Sequence, residues 1–236
     1  MNLKRLTKPR FLFVYPLAGL LFAFGHITER GLRLGIFVIL LGETLRLWAN
    51  GYVGHVKVNW TQKWRGDPKI GRLITAGPYA FVRHPLYLGT ALIGAGFCIV
   101  GGSLWLAAAA LAGFLLSYHA KMAEEERLLH WECDAAYERY HAAVPQMIPT
   151  FRRYPDRQGR WSWQGLSASK EWKTAIWLAV VVILFYFLEE GVQEHGRLFG
   201  KHALLRVGLL VLAVALMATD GVIEFVRRRS QHAASV

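Results

Sequence analysis

The sequence predicts an all-α protein, an integral-membrane helical bundle of about six transmembrane helices with both termini in the cytoplasm. Hydrophobic residues make up 54% of the 236 residues, and the mean hydropathy of +0.26 is high for a soluble domain. Several windows of roughly 15 to 20 residues carry almost no charge, which is the length that a helix needs to cross a hydrocarbon core of about 30 Å. A soluble all-helical protein with buried helices is the alternative.

Apolar segments mark the candidate spans. We expect them at residues 11–27, 31–50, 86–101, 103–121, 172–189 and 202–224. Gly101 and Gly102 separate the third segment from the fourth, and paired glycines favour a tight reversal there. An even number of spans places both termini on the same side of the membrane.

The distribution of charge predicts the orientation. The chain has 28 Lys and Arg against 16 Asp and Glu, a net charge of +12. Most of the basic residues lie in the two tails and in segments 49–85 and 121–173, which share one side of the predicted bundle. By the positive-inside rule this side is cytoplasmic. Membrane orientation therefore explains the basic excess, and we expect no nucleic-acid partner.

The chain divides into three predicted parts. Residues 1–150 form a four-span core with two polar cytoplasmic segments, and residues 173–236 form an appended helix pair with a basic tail. Residues 151–172 mix arginines with tryptophans, which is typical of an interfacial linker along lipid headgroups. Cys98 and Cys133 offer neither a disulfide framework nor a metal-ligand spacing, so we expect no metal site.

The first polar segment contains "GPYAFVRHPLYLG", residues 77–89. Pro78 and Pro85 restrict the backbone and favour a rigid irregular loop. Arg83 supplies a permanent cation whose planar fork suits a carboxylate or a phosphate, and His84 offers a donor and an acceptor in one ring. A structural role is the simpler interpretation for any one of these residues, but the dense group favours a functional site.

The second polar segment, "KMAEEERLLHWECDAAYERYHAAVPQMIP", follows the fourth predicted span. Carboxylates directly below a span are costly if they face lipid. Glu124, Glu125 and Glu126 point about 100° apart on a helix, so one or two of them can turn towards Arg83 and His84. A solvated helix face is the alternative interpretation.

These motifs, "GPY...VRHPLYLG" and "EExxL...Y..Y...VP..IP" on either side of one helical hairpin, resemble the integral-membrane methyltransferases of the isoprenylcysteine carboxyl methyltransferase group, which also includes phospholipid N-methyltransferases. The resemblance covers about residues 43–149. It implies S-adenosyl-L-methionine as the cofactor on the cytoplasmic side, and a lipid or lipidated substrate that arrives from the bilayer.

The resemblance also implies individual roles. It places cofactor contacts at Leu73, Ile74, Tyr79, His84, Pro85, Leu86, Tyr87 and Glu125, to which we add Gly89 because glycine permits close backbone approach. Lys121 stands where the prenylcysteine enzymes have an arginine near the substrate, which keeps the charge and loses the planar fork. Our candidate catalytic residues are Arg83, His84 and Glu126. Either of the last two is a candidate base for an amine acceptor, whereas a carboxylate acceptor needs none.

Two other functions are compatible with parts of the sequence. Membrane sterol and steroid reductases that use NADPH carry a similar "RHPxYxGE"-like segment, but here Thr90 follows Gly89 where those proteins tend to have an acid. A non-catalytic scaffold or transporter would account for charges within spans, such as Glu43 and Arg46, although their i, i+3 spacing predicts that they pair. The "GLRLG" pattern at 31–35 leaves a homo-oligomer open.

Overall fold

The computed structural model describes residues 28–53, 73–102, 104–169 and 171–193, with isolated residues at 207, 208, 211, 215, 218 and 219. Over these residues the chain is all α, as predicted, with one short 3-10 turn at Gly77–Ala80 and no strand. The helices are α1 Glu29–Val53, α2 Pro85–Val100, α3 Leu104–Ala143, α4 Trp163–Ser169 and α5 Glu171–Gln193.

The helices match four of the apolar segments that the sequence singles out. α1, α2 and α5 correspond to segments 31–50, 86–101 and 172–189, and α3 contains segment 103–121 from residue 104 onwards. The segment 11–27 lies outside the described residues, as does most of 202–224. Within the described part of the chain, α3 is the helix long and apolar enough to cross a membrane. The six spans and the cytoplasmic termini therefore stay predictions.

Helix α3 joins an apolar half to a polar half. It begins after the Gly101–Gly102 turn, where Gly102 adopts a φ of 75°. Its backbone leaves helical geometry at Asp134, which has φ 40° and ψ −124°, a positive φ that residues other than glycine adopt uncommonly. The helix then ends at Ala143, just before "VPQMIP".

Glycines bring α1 and α2 into backbone contact. A Cβ atom on Gly42 would lie 2.7 Å from the carbonyl oxygen of Gly89, and one on Gly96 would lie 2.8 Å from that of Gly35. Small residues permit this approach between helices. The glycine of "GLRLG" at position 35 therefore packs within the chain. A homo-oligomer stays a prediction that this pattern no longer supports.

The chain divides into two compact units, Met1–Glu171 and Trp172–Val236. The predicted linker 151–172 is hydrogen-bonded to the rest of the first unit. Its Tyr154 N–H donates to the carbonyl of Ala80 at 3.0 Å, and its Gln158 carbonyl accepts from the N–H of Thr75 at 2.9 Å. This part of the segment therefore supports the loop that contains the Arg-His pair.

The glycine contact yields a stability prediction. Gly96→Ala should destabilise the protein by about 1–3 kcal/mol, because overpacking forces neighbouring atoms apart and the closest obstacles include the backbone of α1. Gly94→Ala is the matched control on the same helix, since nothing lies within 4 Å of a Cβ atom there. Thermal unfolding in detergent measures both. Equal melting temperatures for the two variants would contradict the packing of α1 on α2.

Candidate active site

The candidate site is built on two irregular segments that pair through their backbones. One is Gly77–His84, which precedes α2, and the other follows α3 from Val144. The N–H of Arg83 donates to the carbonyl of Pro145 at 2.9 Å, and the N–H of His84 donates to that of Gln146 at 3.2 Å. These bonds fix the Arg-His pair against the end of α3.

A glycine turn and a proline shape the first segment. Gly77 has a φ of 64°, and a Cβ atom there would collide with the ring of Tyr52 from α1. Glycine therefore meets both the conformational and the steric demand. His84 caps α2, and Pro85 occupies its first position, where the missing N–H costs no helical hydrogen bond.

The Arg-His pair meets Glu126 of α3. His84 is only 7% exposed, and its Nε2 lies 2.9 Å from Oε1 of Glu126. The same oxygen lies 3.1 Å from Nε of Arg83 and accepts from Nε2 of Gln146 at 3.2 Å. Nη1 of Arg83 also donates to the carbonyl of His141 at 2.9 Å. The sequence-based expectation that the Arg-His pair faces the acids beyond the hairpin is therefore confirmed in geometry.

The environment of Glu126 keeps it ionised. Burial alone would raise the pKa of this carboxyl, but the hydrogen bond with His84 and the positive charge of Arg83 hold the pKa below its ordinary value. An ionised carboxylate of low pKa is a strong hydrogen-bond acceptor and a weak base. Glu126 is therefore poorly suited to take up a proton from an acceptor.

Glu125 approaches the same loop from the adjacent position. Its Oε1 accepts from the hydroxyl of Tyr87 at 2.6 Å, and its Oε2 lies 3.9 Å from Nδ1 of His84. Two consecutive acids thus lie on either side of the His84 ring. Glu124 instead lies 3.8 Å from the exposed Arg127. Two of the three acids therefore contact the loop of the Arg-His pair, as the 100° spacing allows.

The other predicted contact residues lie around this centre at different depths. Leu73 belongs to a buried cluster with Tyr140, whose hydroxyl donates to the carbonyl of Tyr79 at 2.8 Å. Ile74 is half-buried and contacts Gly159. Leu73 therefore supports the site from the core, whereas Tyr79 is tied to it through the backbone.

Gly89 and Lys121 have defined surroundings. A Cβ atom on Gly89 would lie 2.5 Å from Cγ of Arg46, so we assign Gly89 to helix packing, and its cofactor contact stays a prediction. Lys121 is exposed, and its Nζ lies 5.5 Å from the ring centroid of Tyr87 and 5.9 Å from that of Tyr118. These are cation–π distances. Lys121 therefore lies next to the site, against the ring of Tyr87.

Sequence reasoning missed Gln146 and His141. Gln146 donates to Glu126, and His141 Nε2 lies 3.7 Å from Oε2 of the same carboxylate. The flanking prolines of "VPQMIP" signal a fixed loop, but nothing in the residue pattern indicates which side chain would turn inward. Among the described residues, no group of three His, Cys, Asp or Glu is arranged to hold a metal ion.

The lowered pKa of Glu126 predicts a pH dependence. Its contribution to stability is present above the ordinary value of 4.5 and is lost as the pH falls through the lower folded value. Glu126→Gln should lower the melting temperature at neutral pH, and the gap to the wild type should narrow below pH 4.5. Melting curves in detergent measure this, with Glu124→Gln as the control that shows little change. A gap independent of pH would contradict the ionised state of Glu126.

Comparison with known proteins shows similarities in the helical core. Residues 31–131 match the family model described as phospholipid methyltransferase. The cobalt-zinc-cadmium resistance protein CzcN of Cupriavidus metallidurans is 29% identical to the chain over 194 residues, which cover 78% of this chain and 82% of that protein. No solved structure matches significantly.

The family match includes the first motif, with the Arg-His pair, and the acids of α3 that open the second motif. The resemblance that these motifs show in the sequence is thereby confirmed. The family implies a methyltransferase that acts on a lipid-like substrate. Residues 31–131 of this chain are therefore similar to the phospholipid methyltransferase family over the helical core that holds the site.

Proposed function

We propose that this protein transfers a methyl group from S-adenosyl-L-methionine to a lipophilic acceptor at the cytoplasmic face of a membrane. The main support for this proposal is the contact between the two motifs. Nε2 of His84 lies 2.9 Å from Oε1 of Glu126, and the hydroxyl of Tyr87 lies 2.6 Å from Oε1 of Glu125. Residues some 40 positions apart converge below the apolar hairpin of α2 and α3, where a lipid and a water-soluble cofactor can both arrive.

The residues fit the chemistry of the cofactor. S-adenosyl-L-methionine presents a carboxylate, an ammonium, ribose hydroxyls and an adenine. The guanidinium of Arg83 forms an ion pair with Glu126, and it can also face the carboxylate of the cofactor. Oε2 of Glu125 lies beyond hydrogen-bond distance of His84 and can accept from the ammonium or the ribose. The rings of Tyr87 and Tyr118 offer flat apolar surfaces.

When bound, the cofactor supplies an electrophilic methyl group on a sulfonium. Transfer is an in-line displacement, so the protein chiefly has to position the reacting atoms and exclude water. The burial of His84 and the rigid loop pairing serve both needs. Donation of its Nε2–H to Glu126 would leave Nδ1 of His84 as the nitrogen that takes a proton from an amine acceptor.

Lys121 supports a lipid acceptor that bears an anionic group. Among the described residues it contacts the rings of Tyr87 and Tyr118 and no carboxylate, so its charge is available to a phosphate or a carboxylate. An ammonium is a point charge that does not require planar geometry. Either a phospholipid or a prenylcysteine-like carboxylate is therefore accommodated.

The reductase alternative is less well supported. Position 90, where sterol and steroid reductases tend to have an acid, holds a threonine whose hydroxyl donates to the carbonyl of Leu86 at 2.9 Å and accepts from Arg46. This residue is committed to helix packing and has no acidic function.

Purified protein in lipid nanodiscs provides the test of function. Incubation with methyl-labelled S-adenosyl-L-methionine and extracted membrane lipids should place the label on a lipid, identified by mass spectrometry. Thermal shifts with S-adenosylhomocysteine and with NADPH are measured in parallel. A shift with NADPH alone would favour the reductase, and no label with no shift would favour a scaffold or transporter.

Substitutions of the site should act on cofactor binding. His84→Ala and Glu125→Ala should each weaken S-adenosylhomocysteine binding by roughly 10- to 100-fold, because a hydrogen bond to a charged group contributes about 1.5–3 kcal/mol. Isothermal titration in detergent measures the affinity, and retained melting behaviour shows that the variants fold. Glu124→Ala is the control. A severe effect of that control with a silent Glu125→Ala would contradict the register of α3.

A further inference from the structure

A second polar cluster lies behind the site, between α1, α2 and the start of α5. Its centre is Arg46, whose Nε donates to Oε1 of Glu171 at 2.8 Å and whose Nη2 pairs with the same oxygen. The other carboxylate oxygen of Glu171 accepts from Nδ2 of Asn50 at 3.1 Å. Glu171 and Asn50 are buried, so the carboxylate is held by three donors out of contact with solvent.

The third guanidinium nitrogen of Arg46 contacts α2. Nη1 donates to the hydroxyl of Thr90, and that hydroxyl donates in turn to the carbonyl of Leu86 at 2.9 Å. The aliphatic stem of Arg46 lies against Gly89. Arg46 therefore contacts the first two turns of α2, which directly continue the segment His84–Tyr87.

Glu171 decides where the guanidinium of Arg46 is held. Glu43 is the competing acceptor, because its Oε2 lies 3.6 Å from Nε of Arg46 and neither of its buried oxygens has a hydrogen-bond partner among the described residues. Without the carboxylate of Glu171, Arg46 would lose the acceptor of two of its donors. The unsatisfied Glu43 would then attract the guanidinium away from Thr90.

We propose that Glu171 is a positioning residue for the cofactor-binding segment His84–Tyr87, acting through Arg46 and Thr90 on the first turns of α2. The inference rests on the proposed function for the identity of the ligand. The series of hydrogen bonds from Glu171 to Leu86 does not depend on that function. Glu171 lies outside the residues that match the family model.

The test combines a ligand-independent and a ligand-dependent measurement. Hydrogen–deuterium exchange reports the order of residues 84–90, and isothermal titration gives the affinity for S-adenosylhomocysteine. The variants are Glu171→Ala, the milder Glu171→Gln, which keeps one acceptor oxygen, and Thr90→Val. The last removes the hydroxyl that joins Arg46 to the carbonyl of Leu86. Glu29→Gln is the control, since Glu29 pairs with Arg33 on the same α1 helix and both side chains are exposed, by 62% and 77%.

Glu171→Ala should speed exchange at residues 84–90 and weaken S-adenosylhomocysteine binding by about tenfold, within the usual range of coupling between sites. The KM for the methyl donor should rise while the KM for the lipid acceptor stays constant. Thr90→Val should act in the same direction and add little to Glu171→Ala, because both interrupt one chain of contacts. Glu171→Gln should be intermediate, and Glu29→Gln should match the wild type.

Unchanged exchange at 84–90 in folded Glu171→Ala protein, with only a lower melting temperature, would overturn the proposal and leave Glu171 a purely structural residue. Should Glu171→Ala fail to fold, Glu171→Gln and Thr90→Val decide by the same two measurements. Failure of the wild type to bind S-adenosylhomocysteine would contradict the proposed function, whereas the exchange data would still decide the positioning role.

Discussion

The arrangement depends on the contact of His84 and Arg83 with Glu126. The three side chains are 7%, 10% and 13% exposed, and a buried charge without a partner costs several kcal/mol. The loop before α2 and the polar end of α3 must therefore come together for either charge to be buried at low cost. This requirement sets the geometry of the site, since the hairpin of α2 and α3 spans the distance between the two motifs and the backbone pairing of Arg83 with Pro145 holds the closure.

The opposite side of α2 is supported by helix packing. Contacts at Gly42–Gly89 and Gly35–Gly96 bring the backbones of α1 and α2 together, and this approach places Arg46 beside the first turns of α2. The segment His84–Tyr87 is thus held from one side by the acids of α3 and from the other by α1. Since a rigid support shortens the search for the reactive geometry, the apolar packing contributes to the site even though none of these glycines faces its acids.

Local patterns in the sequence predict much of this structure. The apolar runs locate α1, α2 and α5, the prolines predict the irregular loop, and the 100° helix spacing predicts that one or two of the three acids turn towards Arg83 and His84. Contacts between distant residues leave no local pattern. The pairing of Arg46 with Glu171 joins positions 125 residues apart, so i, i+3 spacing suggests only Glu43, which in fact lies farther away at 3.6 Å. Gly89 illustrates the same limit, because a glycine that admits a ligand and one that admits a neighbouring helix look identical in sequence.

The two positive charges near the site differ in whether an acidic side chain neutralises them, and this difference affects which methyl acceptor can bind. The positive charge of Arg83 lies against Glu126, so a ligand that approaches Arg83 competes with an existing ion pair. Lys121 rests on aromatic rings, which attract a cation without neutralising it. Under the proposed function, an anionic lipid gains more from Lys121 than from Arg83. The substitution of lysine for the arginine of prenylcysteine enzymes then favours acceptors recognised by charge over those recognised by a planar carboxylate fit.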